Sequence, residues 1–187
     1  MSIVIAALLL AGQPPRPDTL TVLIAYHSRG GHTAQLARAV EDGAKKAGAE
    51  VKTKNVSDVT CAELRDADAL VVGSPVYWSN MAGEVKSFFD RWTNECQVLP
   101  PAFPMRDKVG AAFVTGGEVS SGKEIALMTM LAAMLGNRMI VVSEGQALGA
   151  TATTGDGKQP LAEGELREGR ALGERVAHVA KTLKRGR

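Results

Sequence analysis

The sequence predicts an α/β fold, a doubly wound five-stranded parallel sheet in the order 2-1-3-4-5 with helices on both faces. Short apolar runs rich in β-branched residues alternate with amphipathic helical stretches along the 187-residue chain. Strands never follow one another directly, and parallel strands need crossover helices between them. The 45% hydrophobic and 22% charged residues are typical of a globular protein, which excludes a disordered or collagen-like chain.

The first half of the pattern contains three strands and two helices. Leu20–Tyr26 is an apolar, β-branched run that predicts a strand buried on both faces. Thr33–Ala47 carries apolar residues at helical spacing, and Val51–Val56 follows as the second strand. Thr60–Glu63 has the spacing of a capping box and predicts the start of a short helix. Ala69–Gly73 is the third strand.

The second half repeats the alternation. Gly83–Trp92 predicts a helix, Val109–Thr115 the fourth strand, Glu124–Leu135 a helix and Met139–Val142 the fifth strand. A long loop follows. The last helix is predicted by apolar residues that recur every three to four positions: Leu172, Val176, Val179 and Leu183.

Residues 1–18 differ from the remainder, so we predict a leader there and one folded domain over residues 19–187. The apolar run Ile3–Ala11 precedes the Pro-rich stretch Gly12–Pro17. It is shorter than the roughly 20 residues that span a bilayer. A signal peptide, a docked extension and a start codon placed too far upstream all remain open. The prediction is a cytoplasmic protein without an integral membrane span, or an exported one if the leader is a signal peptide.

Charge and cysteine content exclude several classes of function. The formal net charge of +2 creates no field that demands nucleic acid or anionic lipid. Cys61 and Cys96 form no CxxC pair and no metal-ligand cluster. We therefore expect two unpaired thiols, no disulfide framework and no metal site.

Loop one, Ser28–Thr33, follows the first predicted strand and precedes a helix. Its two glycines let the backbone wrap an anion, and free N–H groups at a helix start favour a phosphate. Ser28 and Thr33 could donate further hydrogen bonds. The alternative is an ordinary turn in which Thr33 only caps the helix.

Loop two, Gly73–Gly83, follows the third strand. Tyr77 and Trp78 could flank a planar ring, and Asn80 could hydrogen-bond the polar edge of that ring. The alternative is that the two aromatic residues simply cover the end of the sheet.

Loop three, Thr115–Glu124, follows the fourth strand. Its sequence from Gly117 reads G-x-x-x-x-G-K-E, one residue short of a Walker A motif. Glu124 replaces the hydroxyl residue that would bind magnesium and would repel phosphates. A glycine-rich loop that closes over a flat ligand is the favoured interpretation. Without a His-Cys-Asp set that suggests a hydrolytic triad, or a G-x-S-x-G elbow, any chemistry should be carried by a cofactor.

Three motifs in sequence order resemble those of the WrbA-type NAD(P)H:quinone oxidoreductases, FMN-binding members of the flavodoxin-like superfamily. They are Tyr-x-Ser-x-x-Gly-His at Tyr26–His32, Gly-Ser-Pro-x-x-x-x-Asn-Met at Gly73–Met81, and Gly149-Ala150 followed by Gly155–Pro160. The resemblance extends from about Leu20 to Lys184.

The resemblance implies FMN as cofactor, with loop one on its phosphate and loops two and three around its ring. It implies NAD(P)H as co-substrate, a quinone-like acceptor, and a homotetramer or homodimer in which a neighbouring subunit completes each site. Asn137 stands where the family usually has a histidine. No residue is assigned as catalytic. The predicted cofactor-binding residues are Ser28, Arg29, Gly30, Gly31, His32, Thr33, Pro75, Val76, Tyr77, Trp78, Asn80, Thr115, Gly116, Gly117, Glu118, Val119 and Asn137.

The leading hypothesis is therefore an FMN-dependent oxidoreductase that passes a hydride from NAD(P)H through flavin N5 to a quinone-like acceptor. A flavodoxin-like electron carrier without its own substrate is the alternative from another class. A flavin-free scaffold that kept the fold is a third, because fold alone does not separate them.

Overall fold

The computed structural model of the protein describes residues 19–144 and 148–186. The predicted leader, residues 1–18, lies outside the described residues. Within these ranges, every helix is too short or too polar to span a bilayer.

A parallel sheet in the order β2-β1-β3-β5-β6 forms the centre of the molecule, with β4 added to β3 and β7 to β5. This order confirms the predicted doubly wound fold, because β1 pairs with β2 on one side and β3 on the other. The strands are β1 Thr21–Tyr26, β2 Glu50–Asn55, β3 Ala69–Tyr77, β4 Asn80–Met81, β5 Val109–Gly116, β6 Ile140–Val141 and β7 Ala150–Thr153.

The last strand differs from the prediction, which placed one strand at Met139–Val142. Two short strands, β6 and β7, each pair with a different stretch of β5: β6 with its beginning and β7 with its end. Gly149 marks the point where the chain rejoins the sheet, since a Cβ there would lie 2.0 Å from the carbonyl oxygen of Ala112. The small residues of β7 lack the apolar pattern that identifies a strand, so the sequence indicated a loop.

Helices cover both faces of the sheet, as predicted. One face carries α1 and α5, and the other carries α2, α3 and α4, with a separate cluster of buried apolar side chains beneath each group. Gly43 lets α1 and α5 approach closely, because a Cβ there would lie 1.9 Å from the carbonyl oxygen of Arg170. The helices are α1 His32–Lys46, α2 Cys61–Asp66, α3 Gly83–Asn94, α4 Lys123–Gly136 and α5 Glu163–Arg185, with a 3₁₀ turn at Val56–Asp58.

The two cysteines form a disulfide, so the prediction of unpaired thiols was wrong. Cys61 is the first residue of α2, Cys96 follows α3, and their Cα atoms are 5.0 Å apart. The Arg65 guanidinium also donates to the carbonyl oxygen of Cys96 at 3.0 Å. Because α2 and α3 pack against the same face of the sheet, cysteines 35 residues apart in sequence meet.

Candidate functional site

The three loops meet in one cavity of about 190 Å³ at the carboxyl ends of β1, β3 and β5. This is the edge where open α/β sheets bind ligands, at the point where the strand order reverses. Ten of its eleven lining residues belong to the predicted set, and Thr154 is the eleventh. The lining consists of Arg29, Gly30, His32, Thr33, Pro75, Val76, Tyr77, Thr115, Gly116, Gly117 and Thr154.

Loop one presents unpartnered backbone donors to this cavity. Gly31 precedes α1 with a φ of 90°, a left-handed conformation that favours glycine. Its N–H and that of Ala34 both donate to Ser28 Oγ, at 3.2 and 3.3 Å. Within the part of the chain that the structure describes, the N–H groups of His32 and Thr33 have no acceptor. The first turn of α1 also has no acidic residue, so this helix start can hold an anion.

Thr33 lies on the floor of the cavity rather than capping the helix. The residue preceding α1 is Gly31, which has no side chain to cap the helix, and the Ser28 hydroxyl rather than that of Thr33 accepts from the N–H of Ala34 in the first turn. Thr33 and Thr115 are both buried, and their hydroxyl oxygens are 2.8 Å apart, within hydrogen-bond distance. This contact joins loop one to the end of β5 across 82 residues of sequence.

Loop two is more regular than the loop predicted at Gly73–Gly83. Strand β3 continues to Tyr77, and a two-residue hairpin leads directly into β4. Trp78 and Ser79, the turn residues, both have positive φ, 50° and 63°, which matches the twist of a tight hairpin. The Trp78 side chain is 101% exposed, so it stands in solvent outside the cavity lining. Its predicted place beside a flavin ring stays a prediction.

Two polar side chains hold this hairpin in place. The buried Ser74 hydroxyl donates to the carbonyl oxygen of Pro75 at 2.8 Å and accepts from the N–H of Ala82 at 2.9 Å. The Asn80 side-chain oxygen accepts from the Thr129 hydroxyl of α4 at 2.9 Å. Asn80 therefore links the hairpin to α4 and does not line the cavity.

Beyond Thr115, loop three contributes backbone to the cavity rather than side chains. Gly116 and Gly117 line the cavity, while Glu118 and Val119 are exposed to solvent. The Ser121 hydroxyl closes the loop by donating to the carbonyl oxygen of Glu118 at 2.9 Å. The loop is therefore a tight glycine turn at the end of β5.

Asn137 lies at the opposite edge of the sheet from the other predicted residues. It follows the last residue of α4, which begins at the carboxyl edge and ends at the amino edge. Its side chain donates to the carbonyl oxygen of Ala133 at 2.9 Å. Asn137 does not reach the cavity of its own chain. Asn137 could contact a flavin only in the site of a neighbouring copy of the chain. This role stays a prediction.

The sequence prediction missed Thr154 as a lining residue. Its N–H donates to the carbonyl oxygen of Gly116 at 2.8 Å, so the segment after β7 seals one side of the cavity. His32 Nε2 donates to the carbonyl oxygen of Gln159 at 2.9 Å and ties the same segment to loop one. The motif at Gly155–Pro160 was the available signal, because it already contributed to the family resemblance.

A parallel sheet of this order, with a cavity at the ends of β1 and β3, defines a flavodoxin-like protein. The family model of NADPH-dependent FMN reductases matches residues 60–154. The chain belongs to this family, and the resemblance predicted from the three motifs is confirmed.

Relatives and solved structures agree with this assignment. The chain is 32% identical over 200 residues to an NAD(P)H dehydrogenase (quinone) of Archaeoglobus fulgidus, covering 87% of this chain and 98% of that protein. It is 31% identical over 167 residues to a flavodoxin of Clostridium saccharobutylicum, covering 88% and 99%. The fold is similar to that of a flavodoxin, WrbA-like protein from Agrobacterium tumefaciens, with a TM-score of 0.73, 24% identity and coverage of 88% and 99%.

The two sequence relatives differ in length relative to this chain. The alignment with the Archaeoglobus protein extends over 200 residues, more than the whole 187-residue chain, although it uses only 87% of it. That protein therefore carries insertions that this chain lacks. The alignment with the Clostridium flavodoxin needs only 167 residues for 88% of the chain, so the two chains match with few insertions.

Proposed function

We propose that the protein is an FMN-dependent oxidoreductase that passes a hydride from NAD(P)H through flavin N5 to a quinone-like acceptor. The observation that carries the proposal is the cavity in which unpartnered amides of α1 face the ends of β3 and β5. The FMN reductase family model and the relatives named for quinone dehydrogenation support an enzyme.

The residues present fit FMN. The start of α1 offers free N–H donors without a competing carboxylate, which suits a phosphate. Glycines keep the space beside it open: a Cβ at Gly30 would meet no atom nearer than 3.7 Å, and one at Gly117 none nearer than 3.9 Å. Longer side chains at these positions would fill the room that a flat ring needs.

In this proposal each loop has a distinct task. The amides of His32 and Thr33 hold the phosphate, and Ser28 fixes the loop that presents them. Pro75–Tyr77 lines the ring, and Thr115–Gly117 presents backbone to its polar edge. Bound FMN supplies the redox chemistry, because it accepts a hydride from NAD(P)H and passes two electrons to the acceptor.

Arg29 lies at the mouth of the cavity, where it is exposed and lines the opening. A cation there attracts the phosphates of the nicotinamide donor and stabilises negative charge that develops on a reduced quinone. The donor and the acceptor would use this mouth in turn, since one cavity serves both half-reactions.

We also propose that the protein acts as a homotetramer or homodimer. Asn137 would then complete the site of a neighbouring subunit, because it lies too far from its own. Light scattering of the FMN-loaded protein should give two or four times the 19.7 kDa chain mass. A single species at the monomer mass would exclude this arrangement and, with it, the role of Asn137.

A flavodoxin-like electron carrier is the second candidate. The near absence of insertions relative to the Clostridium flavodoxin favours it. A carrier would hold FMN in the same cavity but would exchange electrons with a protein partner instead of NAD(P)H.

One experiment separates the two candidates. The purified protein is loaded with FMN, mixed anaerobically with NADPH or NADH, and followed at the flavin absorption maximum before benzoquinone is added. The enzyme proposal predicts rapid bleaching, recovery on adding quinone, and many turnovers. Bound flavin that bleaches only slowly would favour the carrier. A protein that retains no FMN would contradict both.

A further inference from the structure

Lys123, from the Walker-like stretch of loop three, has an unusual environment that the proposed function has not used. The side chain is only 5% exposed, and its ammonium donates to the Thr153 hydroxyl at 2.7 Å. Among residues 19–144 and 148–186, no carboxylate lies within 4.0 Å of this ammonium. The Glu165 carboxylate accepts from the N–H of Thr153 at 2.6 Å, but within the described residues it forms no direct ion pair with Lys123.

Buried lysines usually have more support than this. An ammonium has three N–H donors, and removing its charge from water is costly unless those donors and the charge are compensated. Lys108, which is equally buried, donates to the carbonyl oxygens of Arg65 and Ala67. Within the described residues, the Lys123 ammonium donates to one neutral group, the Thr153 hydroxyl. A ligand that brings negative charge would supply the missing compensation.

The position of Lys123 points to the cavity as the source of that charge. Its aliphatic chain packs against Gly116, where a Cβ would lie 3.1 Å from Lys123 Cγ. Gly116 lines the cavity, and so does Thr154, the residue after the hydroxyl that holds the ammonium. The N–H of Thr154 donates to the carbonyl oxygen of Gly116. The ammonium is therefore hydrogen-bonded to Thr153, the residue next to the cavity-lining Thr154, and the aliphatic chain of Lys123 lies against the cavity-lining Gly116.

We propose that Lys123 is a specificity-determining residue whose buried charge makes the pocket prefer reduced, anionic FMN over oxidised FMN. The inference rests on the proposed function, since it requires FMN in this cavity. A charge shielded from water acts on nearby ligand charge more strongly than a solvated one, and salt screens it less. The ring is the target rather than the phosphate, because loop one already supplies donors for a phosphate on the α1 side.

Lys123→Met tests this by removing the charge while keeping an unbranched apolar chain against Gly116. The midpoint potential of bound FMN is measured by spectroelectrochemistry, and the dissociation constants of oxidised FMN and riboflavin are measured by fluorescence. We expect the preference for reduced over oxidised FMN to fall by about tenfold, which makes the potential about 30 mV more negative for a two-electron couple. The shift should persist at high salt.

Three further variants separate charge from structure. Lys123→Gln is neutral but can still donate to Thr153, so it should lower the potential as Lys123→Met does. Thr153→Val removes the hydroxyl and leaves the charge, so the potential should stay near the wild-type value. Lys158→Met removes an ammonium whose side chain is 80% exposed, and solvent screening should leave the potential unchanged.

The outcomes are distinct. An unchanged potential in both Lys123 variants would overturn the proposal, even if their melting temperatures fall, because the residue would then be only structural. Weaker binding of FMN in both redox states, with riboflavin binding and the potential unchanged, would assign the charge to the phosphate and also overturn it. Wild-type protein that binds no FMN would overturn the proposed function itself, before any variant is made. If Lys123→Met does not fold, Lys123→Gln decides the question.

Discussion

Thr33 illustrates how single residues build the cavity. From the sequence, its hydroxyl could equally have capped α1 or faced a ligand, because both roles need a threonine at a helix start. The structure places it on the cavity floor beside Thr115. The predicted set contained ten of the eleven residues that line the cavity. It did not give the direction of each side chain, which depends on partners that are distant in sequence.

The first prediction concerns the anion site of loop one. Ser28→Ala removes the acceptor that shapes the loop, and Thr33→Ala removes a hydroxyl from the cavity floor. The double variant should bind FMN about tenfold to a hundredfold more weakly, because the loop loses contacts that hold its amides in place and a hydrogen bond from an amide to the charged phosphate contributes about 1.5–3 kcal/mol. Quenching of FMN fluorescence on titration measures this. The control is Thr182→Ala, because the Thr182 hydroxyl donates to the carbonyl oxygen of His178 within α5, far in sequence from loop one. Unchanged affinity in the double variant would place the phosphate elsewhere.

Arg29 provides a second prediction, which concerns turnover rather than cofactor retention. Arg29→Ala should lower kcat/KM for NAD(P)H-driven quinone reduction by about five- to thirty-fold, as expected for a partly exposed charge contact. FMN content should change little. Steady-state kinetics at low salt and matched flavin occupancy measure the effect, with Arg38→Ala on the exposed surface of α1 as the control. Equal losses in both variants would indicate a general charge effect and remove Arg29 from the site.

Elements differ in how far the sequence predicts them. The capping box of α2 is complete in the structure: Glu63 N–H donates to the Thr60 hydroxyl at 3.2 Å, and Thr60 N–H donates to the Glu63 carboxylate at 3.0 Å. All of its partners lie within four residues, so a local pattern sufficed. The hairpin at Trp78 and the division of the last strand into β6 and β7 depend on pairing with β3 and β5, which no local pattern encodes.

The third prediction follows from this capping box. The Lys54 ammonium, 2.7 Å away, and the Thr60 N–H lower the pKa of Glu63 from 4.5 to about 2. A carboxylate with a lowered pKa stabilises the fold above pH 4.5 and loses that contribution as the pH falls toward 2. Glu63→Gln should therefore lower the free energy of unfolding by about 1–2 kcal/mol at pH 7, and the difference from wild type should vanish near pH 2.

Urea unfolding of both proteins at several pH values between 7 and 2 measures this dependence. Glu50→Gln is the matched control, because Glu50 is exposed and its side chain makes no hydrogen bond within the described ranges. A difference between wild type and Glu63→Gln that stays constant with pH would contradict the role of the ionised carboxylate.

At the scale of the whole molecule, the fold could be predicted because each strand and helix has its own hydrophobic period. The resemblance of three motifs then located the site at one edge of the sheet. The contacts between elements could not be predicted in the same way. The pairing of Cys61 with Cys96 and the inward position of Lys123 both arise from packing between segments that are far apart in sequence. The count and spacing of cysteines alone favoured free thiols.

The last prediction concerns this disulfide, which closes a loop of 35 residues across α2 and α3. Constraining the unfolded chain to this extent contributes about 3–4 kcal/mol in the chain-entropy account. Replacing both cysteines with serine should lower the unfolding free energy by about that amount, and reducing the wild-type protein should have nearly the same effect. Thiol titration of the unfolded, unreduced protein measures the pairing directly: no reactive thiol is the expected result, and two reactive thiols would refute the disulfide as a native feature.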